Sequence, residues 1–146
     1  MRSGKRPRHP FVVTIDGPAG VGKSTVAKLL AQRLGVMYLD TGATYRTVAY
    51  RALEAGLNTA TDRRRLLGLA RRLPLKLAPR PDGGLIVMLS GDDVTTRIRT
   101  EEVSEAAAQV SQYPEIRTAM VALQRRLARR PWTDPRGGAP RRGVVV

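Results

Sequence analysis

The sequence predicts an α/β fold in which helices flank a parallel core sheet and a second, hairpin-bearing lobe is inserted. Three observations predict it. The apolar run Phe11-Val12-Val13-Thr14-Ile15 leads into a glycine-rich loop and then an amphipathic stretch over residues 24–34, the order of strand, loop and helix. A second apolar run, Val36-Met37-Tyr38-Leu39, completes a β-α-β unit. Farther on, two apolar runs flank a proline- and glycine-rich loop, which marks a hairpin set into the α/β pattern.

The loop after the first strand reads Gly17-Pro18-Ala19-Gly20-Val21-Gly22-Lys23-Ser24-Thr25 and fits Gly-x-x-x-x-Gly-Lys-Ser/Thr at every fixed position. Glycines at 17, 20 and 22 permit backbone conformations and close approach that side chains would block, so successive N–H groups can curl around phosphate oxygens. The helix starting near Lys23 aims its positive dipole end at the same anion. Lys23 supplies a mobile cation for the β- and γ-phosphates, and the Ser24 hydroxyl is the expected ligand of Mg²⁺. The alternative is a glycine-rich turn with a lysine behind it by chance. The motif points to a nucleoside triphosphate and is silent on the acceptor.

Gly35 ends the first helix. After the second strand, Asp40-Thr41-Gly42-Ala43-Thr44-Tyr45-Arg46 turns at the strand's C-terminal end into a helix over 43–55, the edge where ligands of parallel sheets bind. Residues 58–62 form a polar linker, with Thr61 or Asp62 available to cap a helix running to about 72. The runs 73–78 and 85–89 flank Pro79-Arg80-Pro81-Asp82-Gly83-Gly84 and predict the hairpin. Ser90-Gly91-Asp92-Asp93 reads as a polar turn. Helices are expected over about 101–111 and from Pro114 to about 129. Residues 131–143 are rich in proline and glycine, and Val144-Val145-Val146 reads as the start of a third core strand.

At 146 residues the chain has one domain's worth of length, and the absence of cysteine excludes disulfides, thiolate metal sites and a thiol nucleophile. No apolar run approaches membrane-spanning length, so no membrane partner is expected and the default location is the cytoplasm. The net charge of +14 favours polyanions. Its arginines are dispersed, however, with one Phe and one Trp to stack on bases, so nucleic acid is not expected as a partner. Residues 1–10 read as a disordered basic tail, and residues 11–146 as the folded domain.

Four segments together carry a resemblance: the loop from Ile15 to Thr25, Leu39-Asp40-Thr41-Gly42-Ala43-Thr44-Tyr45-Arg46, Gly91-Asp92-Asp93-Val94 with Ile98-Arg99-Thr100-Glu101-Glu102-Val103, and Pro114-Glu115-Ile116-Arg117. Over about residues 11–130 the chain resembles the bacterial cytidylate kinase family. The resemblance implies the P-loop nucleoside monophosphate kinase fold, with a parallel core sheet and an inserted monophosphate-binding lobe at about 57–117. It implies transfer of the γ-phosphoryl group of ATP to CMP or dCMP, giving the diphosphate, with Mg²⁺ and no partner beyond these nucleotides, by a monomer. ATP would be held by Gly17, Pro18, Ala19, Gly20, Val21, Gly22, Lys23, Ser24 and Thr25. The acceptor would be held by Asp40, Thr41, Tyr45, Arg46 and Arg117, with Lys23, Arg46 and Arg117 carrying catalysis and Asp16 in a supporting role. Arg46 and Arg117 can alternatively be ordinary exposed helix arginines, Tyr45 a packing residue, and Asp16 a local support for the loop.

Ala108 stands where many members place a cytosine-contacting serine. The family continues beyond the position of Val146 with Glu-Gly-Arg-Asp-x-Gly-Thr and an arginine-bearing lid. The chain is therefore expected to be truncated before the lid, an incomplete kinase domain with little turnover of its own. Two other readings remain: a P-loop kinase of another small acceptor, such as a different nucleoside monophosphate or shikimate, and a non-catalytic nucleotide- or RNA-binding remnant.

Overall fold

Two separate three-stranded sheets organise the chain, one parallel and one antiparallel, with helices packed between and around them. A computed structural model describes residues 12–18, 20–131 and 144–145. The parallel sheet has the order β1 (Val12–Val13), β6 (Val144–Val145), β2 (Met37–Tyr38). Val12 and Met37 both register with Val144, and Val13 and Tyr38 with Val145. The third core strand expected at the end of the chain is thus the middle strand. The N-terminal tail, Phe11, residues 132–143 and Val146 lie outside the described residues.

Helix α1 (Lys23–Leu34) crosses from β1 to β2 and ends at Gly35, whose φ of 65° lets its N–H reach back to the carbonyls of Ala31 and Gln32. Only Ala27 and Ala31 of this helix are buried, while Val26, Leu29 and Leu34 are exposed. Helix α2 (Thr41–Glu54) begins two residues earlier than the sequence suggests because Asp40 caps it. It is the hub of the interior. Ala43, Val48, Ala49 and Ala52 are fully buried, and these small side chains let α4 (Glu101–Val110) approach closely along its length through Val103, Ala106, Ala107 and Val110.

Helix α3 (Arg63–Arg71) and helix α5 (Pro114–Arg129) pack on each other and on α2. Asp62 stands before α3 but makes no side-chain cap; its carboxylate accepts instead from the Asn58 N–H at 2.7 Å, closing the linker turn. Tyr113 pins that turn from the other side, donating from its hydroxyl to the Thr59 and Ala60 carbonyls. Thr59 also hydrogen-bonds Gln109 of α4.

The hairpin pairs β3 (Leu75–Pro79) with β4 (Leu85–Leu89), and its inward face is Leu75, Leu85, Val87 and Leu89. Asp92–Asp93, expected as part of a turn, instead forms a third strand, β5, antiparallel to β4. The turn is Ser90-Gly91 alone, with φ of 51° and 86°, the two positive values that a two-residue hairpin needs to match strand twist. A single 3₁₀ turn at Arg97–Arg99 then leads to α4, which Thr100 caps by accepting from the Val103 N–H.

Leu66 of α3 is fully buried among these helices whereas Arg64 is exposed. Leu66→Ala is expected to cost about 2–5 kcal/mol and Arg64→Ala less than ~0.5 kcal/mol in urea denaturation. Across the same helix pair, Arg63 donates to both carboxylate oxygens of Glu115, and this hydrogen bond holds the Glu115 carboxyl below its ordinary pKa. A carboxyl with a lowered native pKa stabilises the fold above its unfolded-state pKa, and the gain is lost as pH falls through the lowered value. Both side chains are about half exposed, so the effect is small and salt-sensitive. Glu115→Gln should lower the unfolding temperature slightly at neutral pH and low salt, and thermal melts of the two proteins should converge in acid.

Candidate active site

Two loops leave the C-terminal ends of β1 and β2. Because both strands run parallel to β6 on either side of it, the loops emerge at the same sheet edge. Neighbouring strands lie about 4.8 Å apart, which sets the two loop origins about 10 Å apart.

In the first loop, Gly20 and Gly22 have φ of 79° and 88°, and Gly22 is the residue that opens α1. An L side chain is strained in that conformation, so the tight entry into the helix depends on glycine. No acidic residue occupies the first turn of α1, and no side chain caps it, so its leading N–H groups face an uncompensated positive helix end. The Lys23 side chain folds back across the loop, with its Cδ 3.5 Å from where a Cβ on Gly17 would sit. Pro18, Val21, Ser24 and Thr25 are exposed around the same turn, and Ala19 lies outside the described residues. Asp16 makes no side-chain hydrogen bond among the described residues, which offers no support for a loop-bracing role.

The second loop converges on one carboxylate. Asp40 Oδ1 accepts from the Ala43 N–H at 3.3 Å and caps α2, while Oδ2 accepts from Arg46 Nη2 at 2.8 Å. From the sixth residue of the helix, the Arg46 side chain doubles back over the first turn to make this contact. Gly42 permits it: a Cβ there would stand 2.8 Å from Arg46 Nη1. Arg46 Nε is buried without a hydrogen-bond partner among the described residues. The second oxygen also accepts from Arg99 Nη2 at 3.4 Å, which brings in the 3₁₀ turn.

Thr41 opens α2 with its hydroxyl unbonded among the described residues, and its carbonyl accepts from the Thr44 hydroxyl at 2.6 Å. Thr44 is fully buried and accepts from Gln124 Nε2 of α5 at 3.0 Å, which ties the helix start to α5. Tyr45 is half-buried against the apolar core, in keeping with a packing residue. Arg117 sits exposed in the first turn of α5 and makes no side-chain hydrogen bond or ion pair among the described residues. Ala108 is exposed on α4, and its carbonyl accepts from the Ser111 hydroxyl.

Asp40, Thr41 and Arg46 are therefore brought together, whereas Arg117 forms no hydrogen bond or ion pair with them among the described residues. Sequence reasoning missed Arg99 and Gln124 as members of this constellation. Gln124 carries no sequence signal, since a lone glutamine in a basic helix is ordinary. Arg99 lies within the Ile98-Arg99-Thr100 segment, but its convergence on a residue 59 positions away is a tertiary fact.

Comparison with known proteins places this geometry. The cytidylate kinase family profile matches residues 13–133. The cytidylate kinase of Symbiobacterium thermophilum is 48% identical over 119 residues, covering 82% of this chain and 52% of that protein. The cytidylate kinase of Geobacillus kaustophilus is 50% identical over 116 residues, covering 80% of this chain and 51% of that protein. A bifunctional pantoate ligase/cytidylate kinase of Gloeobacter violaceus is 44% identical over 122 residues, covering 82% of this chain and 23% of that protein. The chain spans about half the length of the first two relatives.

Gly42→Ala tests the folded-back arginine directly. The clash falls on the far end of a flexible side chain, so stability should change by less than ~0.5 kcal/mol. The Arg46–Asp40 contact should nonetheless be displaced, visible as a shift of the Arg46 Nε–H resonance in a ¹⁵N NMR spectrum.

Proposed function

Because the chain belongs to the cytidylate kinase family, we propose that it provides the phosphate-holding half of an enzyme that transfers the γ-phosphoryl group of ATP to CMP or dCMP, giving CDP or dCDP. The observation that carries this reading is the pair of anion-seeking loops at one edge of the parallel sheet. Their origins are separated by two strand spacings, about 10 Å, which suits a triphosphate and a monophosphate meeting end to end.

Phosphoryl transfer between two polyanions is chiefly a problem of alignment and charge neutralisation. The backbone N–H groups around Gly17, Gly20 and Gly22 hold the donor phosphates, and the mobile ammonium of Lys23 reaches toward the β- and γ-phosphates. Arg46, locked by Asp40, presents a planar fork to the acceptor phosphate, with the Thr41 hydroxyl beside it. The acceptor oxygen is already ionised, so no general base is needed. Arg117 contributes from α5 on the acceptor side, and we assign residues of about 57–117 to the acceptor-binding lobe.

Mg²⁺ fits this arrangement. Among the described residues no cluster of three or more His, Cys, Asp or Glu forms a protein cage, and Ser24 offers an exposed, unbonded hydroxyl at the loop. That pattern suits an ion held by one hydroxyl, water and substrate phosphates, where it would neutralise charge between the phosphates. Among the described residues no helix is long and apolar enough to cross a membrane. The proposal places the enzyme in the cytoplasm as a monomer acting on small nucleotides.

Calorimetric titration of the chain with CMP, dCMP, UMP, AMP, shikimate and Mg-ATP tests the assignment. CMP and dCMP should bind ahead of the other acceptors. Lys23→Ala should weaken Mg-ATP binding about ten-fold or more and leave CMP unchanged, and Arg46→Ala should do the reverse, as expected for loss of a charge-assisted contact. Preference for shikimate, or RNA binding that falls steeply with salt and ignores Lys23, would replace the proposal with one of those activities.

A further inference from the structure

We propose that the groove between the end of α2 and one face of α3 binds a dissolved organic phosphate with an apolar body, a phosphate monoester on an alkyl or acyl chain. The groove has a volume of about 480 Å³, within the range of small-molecule sites, and shares no residue with the two loops at the sheet edge. Its apolar lining includes Leu57 and Leu69, both half-buried, and the buried Leu73. Arg51, Arg65 and Arg72 line it as well, and they are the only polar side chains that do.

Residues 65, 68, 69 and 72 follow the i, i+3, i+4, i+7 pattern and share one face of α3, while Leu66 and Ala70 turn another face into the core. Two features of the groove face are unfavourable for the helix alone. Gly68 sits in mid-helix, where glycine is the poorest former after proline. A Cβ there would meet nothing within 4 Å, so neither packing nor backbone conformation requires a glycine. Arg65 lies in the first turn, at the positive end of the helix dipole, and no acidic residue in that turn offsets it. A bound anion with an apolar body accounts for both, since the missing side chain leaves room for the body and the head neutralises the cation.

The head group follows from the charges. Arg65 and Arg72 make no side-chain hydrogen bond or ion pair among the described residues, and Arg51 reaches Glu54 only at 3.4 Å, with both side chains exposed. Three guanidinium groups beside one loosely held carboxylate favour a doubly charged head, and their forks match phosphate oxygens. No side-chain hydroxyl, amide or carboxylate lines the groove to read a ribose or a base edge, which favours an alkyl or acyl body over a nucleoside. None of the exposed large apolar side chains among the described residues lines this groove. With nothing projecting to enter a bilayer, the ligand comes from solution.

The test is calorimetric titration of the 146-residue chain with octyl phosphate, kept below micelle formation, beside octanol, inorganic phosphate and CMP. Octyl phosphate should bind about ten-fold or more tighter than octanol or inorganic phosphate, because only it offers both head and body. It should also shift the Gly68 and Leu69 amide resonances in a ¹⁵N NMR spectrum. Arg65→Gln and Arg72→Gln should each weaken it about ten-fold, the size of one charge-assisted hydrogen bond. Arg129→Gln, an exposed change of equal charge on α5, should have little effect. Gly68→Leu should abolish binding and raise the melting temperature, since leucine fills the groove and favours the helix, so the loss is not one of folding. Equal binding of inorganic phosphate or of octanol overturns the proposal. So does competition by CMP together with indifference to Gly68→Leu, which places octyl phosphate at the acceptor loop instead. Binding to phosphatidic acid vesicles with no response to octyl phosphate overturns it in favour of a membrane surface.

Discussion

The carboxylate of Asp40 is the constraint on which most of this structure turns. One oxygen caps the first turn of α2, and the other anchors Arg46 and reaches Arg99. Satisfying an orphan N–H at a helix start stabilises by about 1 kcal/mol, and here that capping also decides where the helix begins. Since α2 is the helix on which α3, α4, α5 and the 3₁₀ turn pack, the position of its first turn sets the frame for the rest. The same contacts leave two arginines poised over one small volume. Helix capping and the placing of both arginines draw on a single side chain.

A second constraint is the parallel sheet. Placing β6 between β1 and β2 gives the two outer strands a common direction without direct pairing, so the loops that follow them share an edge but stand apart. Adjacent strands would bring the loops half as far apart. The antiparallel sheet solves a different problem. Its hairpin buries Leu75, Leu85, Val87 and Leu89, and β5 extends it toward the 3₁₀ turn that carries Arg99. Packing of that turn on α2 and α4 brings Arg99, far along the chain, to Asp40.

Much of this was legible in the chain itself. The glycine-lysine loop, the helix after it, Pro114 opening α5 and the hairpin flanking Asp82-Gly83 all follow from local rules, because turn chemistry and helix caps are written in neighbouring residues. Errors arose where a partner elsewhere decided the outcome. Asp92-Asp93 reads as a turn because consecutive acids disfavour strands, yet pairing with Met88 and Leu89 makes it one. The start of α2 was misplaced by two residues because Thr41 and Gly42 are weak helix formers, and the Asp40 cap overrides them. Among the site residues, Asp40, Thr41 and Arg46 were legible since six residues of loop and helix place them together. Tyr45 was legible as a packing residue and Arg117 as an exposed helix arginine, each as the alternative to a ligand role.

The sequence by itself determined the side chains available: a glycine-rich loop with its lysine and the serine hydroxyl after it, an arginine early in the second helix, and the order of strand, helix and hairpin. These depend on residue type and short spacing, which the linear chain carries in full. Only the tertiary structure decided that Val144–Val145 separates β1 from β2, that Gln124 ties α5 to Thr44, and that Arg99 shares an oxygen with Arg46. Each of these contacts joins residues dozens of positions apart. Their geometry comes from burying helix faces against one another, a balance summed over the whole interior that no local pattern records.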